Sequence, residues 1–125
     1  MTWQAYVDNN LVGAGFAHAC LIGHDGSVWA TSTGFSLQGT EGKAIAALFA
    51  KDGGAFATGI IVGGKKHMAI KSDTRSAYGK LGAGGVVCVK TATGIIVAVY
   101  DDKLQPGAAA NIAEKLADYL IENSC

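Results

Sequence analysis

Two apolar runs in the second half of the chain constrain the fold most. Residues 86–89 (VVCV) and 95–99 (IIVAV) are nearly continuous hydrophobic segments, and Thr93-Gly94 between them is typical of a tight turn. Strands without polar alternation are usually covered on both faces, because neither face can be left in water. We therefore expect one sheet with helices packed on each of its two sides.

Turn and capping signals divide the remaining sequence into short elements. We expect helices over residues 2–13, from Glu41 to Lys51 and from Pro106 onward, with Thr2 and Thr40 as the first two N-caps. A hairpin is predicted for residues 17–23 and 27–32, because Asp25-Gly26 is a strong turn signal. The other strands are expected at residues 57–63, 67–72, 75–80, 85–91 and 94–101. With 125 residues, the chain is expected to form a single domain over residues 1–125, of mixed α/β (α+β) class.

Charge and cysteine content exclude some classes of protein. Ten basic and ten acidic residues give a net charge of zero, which argues against nucleic-acid binding. Residues 65–90 contain six basic residues and a single acidic one, Asp73, so this region would suit an acidic partner or anionic lipid headgroups. Ordinary solvated strand faces explain the excess of basic residues equally well.

We expect Cys20 and Cys88 to be buried thiols and Cys125 to be open to oxidation between molecules. No apolar stretch reaches ~18 residues, so no transmembrane segment and a cytosolic protein are expected.

Patterns that would indicate an enzyme or a metal site are incomplete. Residues 59–66 match G-x-x-x-x-G-K, but Lys66 replaces the required hydroxyl residue and residues 60–62 (IIV) indicate a strand. His18 and Cys20 alternate onto one strand face near His24, which leaves zinc or copper binding, or a Cys–His pair, as an alternative. No second ligand cluster and no activating neighbour accompany them. We therefore expect no metal, no cofactor and no catalytic residues.

Four aromatic residues form the strongest candidate site. Trp3 and Tyr6 lie one helical turn apart, and Tyr119 falls at the edge of the apolar stripe of the last helix. Strict alternation puts Trp29 on the opposite side of its strand from Val28 and Ala30. Packing of the first helix onto the sheet is the simpler explanation for Trp3 and Tyr6. Together, however, the four side chains offer flat apolar bodies and hydrogen-bond donors, which suit a groove for a proline-rich peptide.

Four motifs, in order along the whole chain, resemble those of profilins. Residues 3–8 (WQAYVD) are similar to W-x-x-Y-V-D, and residues 25–30 (DGSVWA) to D-G-x-x-W-A. Residues 78–82 (YGKLG) resemble Y-G-K-K-G, with Leu81 in place of the second lysine. Pro106-Gly107, followed by residues 114–120 (EKLADYL), resembles the closing helix of the family. The length of the chain is similar to that of the shorter, non-vertebrate profilins.

The resemblance implies a fold and a set of partners. It implies a central antiparallel sheet, with the N- and C-terminal helices on one face and smaller helices on the other. It also implies a cytoplasmic, cytoskeletal protein that binds monomeric actin, proline-rich segments of actin-assembly factors and phosphoinositides. Such a protein regulates actin polymerisation and promotes nucleotide exchange on actin without being an enzyme. The alternative is an adaptor with the same fold that binds proline-rich peptides or lipids but does not bind actin.

The same resemblance assigns residues to three surfaces. The polyproline site is expected at Trp3, Tyr6, Trp29 and Tyr119, with Cys125 standing where some relatives carry a further aromatic residue. The actin site is expected at Arg75, Lys80, Lys90, Gln105, Gly107, Asn111 and Lys115. The phosphoinositide site is expected at Lys66, Lys80, Lys90 and Lys115.

Overall fold

The computed structural model describes residues 2–125 and contains one seven-stranded antiparallel sheet. The spatial order is β2-β1-β7-β6-β5-β4-β3, so the two apolar runs are neighbours near its centre. The strands are β1 His18–Gly23, β2 Val28–Thr31, β3 Ile60–Val62, β4 Lys65–Ser72, β5 Ser76–Leu81, β6 Gly84–Lys90 and β7 Gly94–Tyr100.

Four α-helices accompany the sheet in the described part of the chain. They are α1 Trp3–Ala5, α2 Glu41–Ala47, α3 Gly54–Thr58 and α4 Pro106–Glu122. The α1 helix continues as π-helical turns over Tyr6–Leu11 and a 3-10 turn over Val12–Ala14, and α2 continues as a 3-10 turn over Leu48–Ala50. None of these helices is long and apolar enough to cross a membrane.

Helices cover both faces of the sheet, as the two apolar runs predict. Alternate residues of β6 and β7 pack into one core with α1 and α4, namely Val87, Val89, Ile96 and Ala98. The residues between them pack into a second core with α2 and α3, namely Val86, Cys88, Ile95 and Val97. The predicted arrangement of terminal helices on one face and smaller helices on the other is therefore confirmed.

Local expectations were confirmed at Thr2 and at the buried cysteines. The Thr2 hydroxyl accepts a hydrogen bond from the Ala5 N–H at 3.1 Å, as expected of an N-cap. Cys20 and Cys88 are fully buried free thiols, and burial raises the pKa of Cys20 to about 12 and that of Cys88 still further.

Three local expectations were wrong. The segment over residues 2–13 is not one α-helix, because its middle turns are π-helical. Thr40 makes no capping hydrogen bond; instead the Glu41 carboxylate accepts bonds from the N–H groups of Gly63 and Gly64, both at 2.7 Å. The strand expected over residues 57–63 begins only at Ile60, because α3 occupies the preceding residues and ends at Gly59, whose φ of 74° favours glycine.

Candidate binding surfaces

Four aromatic rings lie in a continuous series on one surface. The ring centroids of Trp29 and Trp3 are 4.8 Å apart, those of Trp3 and Tyr6 6.0 Å, and those of Tyr6 and Tyr119 6.3 Å. Adjacent rings are tilted by 39–57°, a favourable arrangement for aromatic quadrupoles. We call these four residues the aromatic platform.

The platform is anchored to the core and still faces water. Trp3 and Tyr6 are half-buried against the core beneath α1 and α4, whereas Trp29 is 36% and Tyr119 50% exposed. Within residues 2–125, neither indole N–H takes part in a hydrogen bond to another residue. The surface therefore combines apolar ring faces with donor groups.

Contacts between α1 and β2 bring Trp3 to Trp29. The Gln4 amide donates to the Thr31 carbonyl oxygen at 2.9 Å, which ties the first helical turn to the end of β2. Trp3 precedes Gln4, and its ring consequently lies against the strand that carries Trp29.

A β-bulge places Trp29, contrary to the alternation expected from the sequence. Leu21 pairs with Ala30 and Ile22 pairs with Val28, so Trp29 is the extra residue of β2. Ala30 is buried in the core beneath α1 and α4, and the Trp29 ring lies on that same side over Gly94. The expectation that the two residues point to opposite sides was wrong, because the bulge shifts the alternation by one position.

A cavity of about 440 Å³ extends the platform between the first helical segment and α4. It is lined by Tyr6, Asn10, Ile112, Lys115, Leu116 and Tyr119. Partial removal from water raises the pKa of Tyr6, and the neighbouring Tyr119 and Cys125 groups raise it further. Tyr6 therefore keeps its proton at neutral pH and can act as a hydrogen-bond donor.

Arg75 is held by α4, although it was expected to face a partner. Its guanidinium lies 3.0 Å from a Glu114 carboxylate oxygen and 2.8 Å from one of Asp118. Glu114 also accepts hydrogen bonds from the hydroxyls of Ser76, at 2.6 Å, and Tyr78. These contacts join the start of β5 to the middle of α4, and they leave only part of the Arg75 charge available to a ligand.

The remaining predicted residues lie on several surfaces. Gln105 and Gly107 are exposed at the start of α4, and Asn111 is exposed one turn later. Lys115 lines the platform cavity, and Lys80 lies in β5 opposite Met68 of β4. Lys66 is exposed in β4 opposite Ile61. Val89 points into the core beneath α1 and α4, so strand alternation directs the next residue, Lys90, toward the side of the sheet that carries α2 and α3. The four lysines expected to hold phosphoinositides therefore do not converge on one pocket.

Comparison with known proteins identifies the family. The family model described as Profilin matches residues 1–125. Profilin-2 of Dictyostelium discoideum is 82% identical over 126 residues, covering 100% of both chains. The chain belongs to the profilin family. The general role of profilins is to bind actin and regulate the cytoskeleton.

Solved profilins have the same fold as this chain. Profilin of Schizosaccharomyces pombe superposes with a TM-score of 0.96 at 43% identity, covering 99% of this chain and 100% of that one. Profilin II of Acanthamoeba castellanii superposes with a TM-score of 0.94 at 46% identity, with the same coverage. The antiparallel sheet with its two helical layers is therefore a profilin fold.

An exposed apolar patch lies on the outer strands and was not singled out from the sequence. Met68 is 71%, Ile70 51% and Phe56 59% exposed, and we call these residues the outer-strand patch. Met68 and Phe56 line one shallow depression with Lys66. The sequence signal that could have indicated this patch is the spacing of Met68 and Ile70, two apolar residues on either side of Ala69.

The alternative metal site does not form. Cys20 is fully buried, and the His18 ring stacks on Phe35 with centroids 5.3 Å apart. The His24 Nε2 lies 3.0 Å from the Thr91 carbonyl oxygen and 3.2 Å from that of Gly94, and therefore acts as a donor to both. Between residues 2 and 125, no three His, Cys, Asp or Glu side chains are placed to hold a metal ion.

Proposed function

We propose that this profilin binds actin monomers and, on a separate surface, holds proline-rich segments of actin-assembly factors on the aromatic platform. The observation that carries the second part is the series of four contacting rings, whose indole N–H groups make no hydrogen bond within the described residues. In this account the protein regulates actin polymerisation in the cytoplasm and cytoskeleton, promotes nucleotide exchange on actin, and needs no cofactor.

The dimensions of the platform suit a polyproline II helix. Its three centroid steps add to at most about 17 Å, which corresponds to roughly five or six residues at ~3.1 Å each. Such a peptide is stiff before it binds, so little conformational entropy is lost. Proline rings would lie on the aromatic faces, while Trp29 and the protonated Tyr6 would donate to peptide carbonyl groups.

Replacement of Trp3 tests the platform. Trp3 contacts both Trp29 and Tyr6, so Trp3→Ala interrupts the series at its centre. We expect retention on immobilised polyproline to be lost while actin binding persists. Val28→Ala is the matched control, because Val28 is a 50% exposed apolar residue beside Trp29 that is outside the platform. Normal retention of Trp3→Ala would contradict the proposed peptide site.

We propose that actin contacts the first turns of α4 and the neighbouring strands. The residues assigned to it are Arg75, Lys80, Lys90, Gln105, Gly107, Asn111 and Lys115. The outer-strand patch supports this assignment, because exposed Met68 pairs with Lys80 and would supply apolar area that the cations lack. Basic residues would speed the encounter with an acidic actin surface.

Titration with fluorescently labelled actin monomers tests the actin surface. Lys80→Glu is expected to weaken actin binding at least several-fold while leaving retention on polyproline unchanged. An equal loss of both activities in a variant with a wild-type circular dichroism spectrum would contradict separate surfaces. Failure of the wild-type chain to bind actin would favour the alternative of a peptide or lipid adaptor.

We also propose that Lys66, Lys80, Lys90 and Lys115 attract phosphoinositides. Because these lysines do not converge on one pocket, the attraction would come from the summed field of separate cations, about 1 kcal/mol per lysine near an anionic surface. Cosedimentation with phosphoinositide vesicles should therefore weaken steadily as salt is raised. Binding that is insensitive to salt would contradict this mechanism.

A further inference from the structure

The turn between β6 and β7 contacts Trp29 of the aromatic platform and the chain end that follows Tyr119. On one side, the Trp29 ring lies so close to Gly94 that a Cβ atom there would be 2.7 Å from its Cζ3. On the other side, the main chain at Cys125, six residues after Tyr119, bonds to the same turn. Trp29 and Tyr119 are the outermost rings of the platform, so the turn contacts one of them directly and is joined to the other through the end of α4.

The Thr91 hydroxyl is the buried link in this turn. Thr91 is 7% exposed, and its Oγ1 lies 2.7 Å from the Cys125 carbonyl oxygen. The Gly94 N–H donates to Oγ1 at 3.1 Å. The single hydroxyl proton faces two carbonyl oxygens, that of Gly94 at 3.1 Å and that of Cys125 at 2.7 Å, and the shorter contact makes Cys125 the better acceptor. Thr93 adds its N–H at 2.7 Å and its hydroxyl at 3.0 Å to the same carbonyl oxygen.

The chain that leads from Tyr119 to Cys125 is itself ordered by helix-end hydrogen bonds. The Cys125 N–H donates to the Leu120 carbonyl oxygen at 2.7 Å, and the Ser124 N–H donates to that of Ile121 at 3.0 Å. This pattern is a Schellman motif, which usually has glycine where Ser124 stands with φ of 63°. A left-handed serine is unfavourable on its own, so the bonds from Thr91 and Thr93 hold the motif in place.

We propose that Thr91 is a positioning residue for peptide binding: its hydroxyl fixes the end of α4 to the turn beneath Trp29, and thereby sets the position of Tyr119 relative to the other three rings. The inference rests on the proposed polyproline function of the platform. Thr91 itself does not belong to the platform and would act through Cys125 and the helix end.

Isosteric replacement of Thr91 in the full chain tests this role. Thr91→Val removes the hydroxyl and keeps the shape, whereas Thr91→Ser keeps the hydroxyl. The probe is a decaproline peptide, titrated while tryptophan fluorescence is recorded. We expect Thr91→Val to bind the peptide about three- to tenfold more weakly, the loss of one buried hydrogen bond, and Thr91→Ser to bind within about twofold of wild type.

Two further measurements separate positioning from a general loss of structure. Actin-monomer affinity of Thr91→Val should match wild type, which a misfolded protein would not achieve. If Thr91→Val fails to fold, Thr93→Ala takes its place, because it removes the other hydroxyl that binds the Cys125 carbonyl oxygen and lies at an exposed position. Thr93→Ala should weaken decaproline binding about two- to threefold and leave the circular dichroism spectrum unchanged. Wild-type decaproline affinity in a folded Thr91→Val, or in Thr93→Ala where that variant replaces it, overturns the inference.

The failure of this inference is distinguishable from failure of the proposed function. If Trp3→Ala loses decaproline binding while Thr91→Val retains it, the platform stands and the positioning role is wrong. If Trp3→Ala binds decaproline as well as wild type, the platform itself is wrong and the inference falls with it.

Discussion

Gly94→Ala should damage both the stability of the sheet and the position of Trp29. The added Cβ would lie 2.7 Å from Trp29 Cζ3 and 2.9 Å from the Ile22 carbonyl oxygen, both too close for contact between nonbonded atoms. The indole ring can tilt away, but the Ile22 oxygen belongs to the backbone of β1, which is paired with a strand on each side. The substitution therefore forces a shift that no side-chain rotation relieves.

The expected magnitude follows from two opposing effects. Overpacking of this kind costs about 1–3 kcal/mol, and replacing glycine restricts the unfolded chain, which returns about 0.4–1 kcal/mol. The net loss of unfolding free energy should be about 1–2 kcal/mol, a decrease in Tm of roughly 3–10 °C for a chain of this size. Displacement of Trp29 should also weaken decaproline binding.

Thermal unfolding followed by circular dichroism, with a parallel decaproline titration, measures both effects. Gly107→Ala is the matched control for stability, because a Cβ at exposed Gly107 would meet no atom within 4 Å. Its Tm should stay the same or rise, since alanine favours the helix. A Gly94→Ala protein with wild-type Tm and wild-type peptide affinity would refute the steric reasoning.

Three further predictions concern the interior and the loops. Glu114→Gln should lower the unfolding free energy by about 1–3 kcal/mol in urea denaturation. The amide removes the negative charge that all three donors face and replaces one acceptor oxygen by an NH2 group. Glu122→Gln should change the unfolding free energy by less than about 0.5 kcal/mol, and equal effects of the two substitutions would contradict the network. Only Cys125 should react quickly with a thiol reagent at pH 8, since burial raises the pKa of Cys20 to about 12 and that of Cys88 further. All three thiols should react in denaturant. Rapid reaction of all three thiols in the native protein would contradict the burial of Cys20 and Cys88. Hydrogen bonds from the Ser76 and Arg75 N–H groups lower the pKa of Asp73. The contribution of Asp73 to stability is therefore present above about pH 4 and is lost as pH falls through its lowered native pKa. Asp73→Asn should flatten that part of the curve of stability against pH, and an unchanged curve would contradict this contribution.

The sheet and its two helical layers could be predicted because their signals are local. The apolar runs at residues 86–89 and 95–99 require cover on both faces whichever strands pair with them. The four platform residues could likewise be selected, because they combine ring type with positions at element edges. Their mutual contacts confirm that the selected side chains meet on one surface.

The errors concern features that depend on distant partners. The bulge at Trp29 exists because of how β2 pairs with β1, and strict alternation within β2 cannot show it. The ion pairs of Arg75 with Glu114 and Asp118, which are 39 and 43 residues away in sequence, are likewise not visible in the local sequence pattern; the assignment of Arg75 to the actin surface stays a prediction. The end of the short helix α3, residues 57 and 58, was predicted as strand, because the apolar residues 60–62 dominate that segment.

Intrinsic fluorescence during titration with decaproline tests the central claim most directly. Trp3 and Trp29 are the two tryptophans of the chain, and both belong to the aromatic platform, so emission reports on that surface alone. A peptide lying across the rings should produce a saturable change in intensity and wavelength that a glycine-serine peptide of equal length does not produce. Emission that stays constant up to millimolar decaproline would contradict the account.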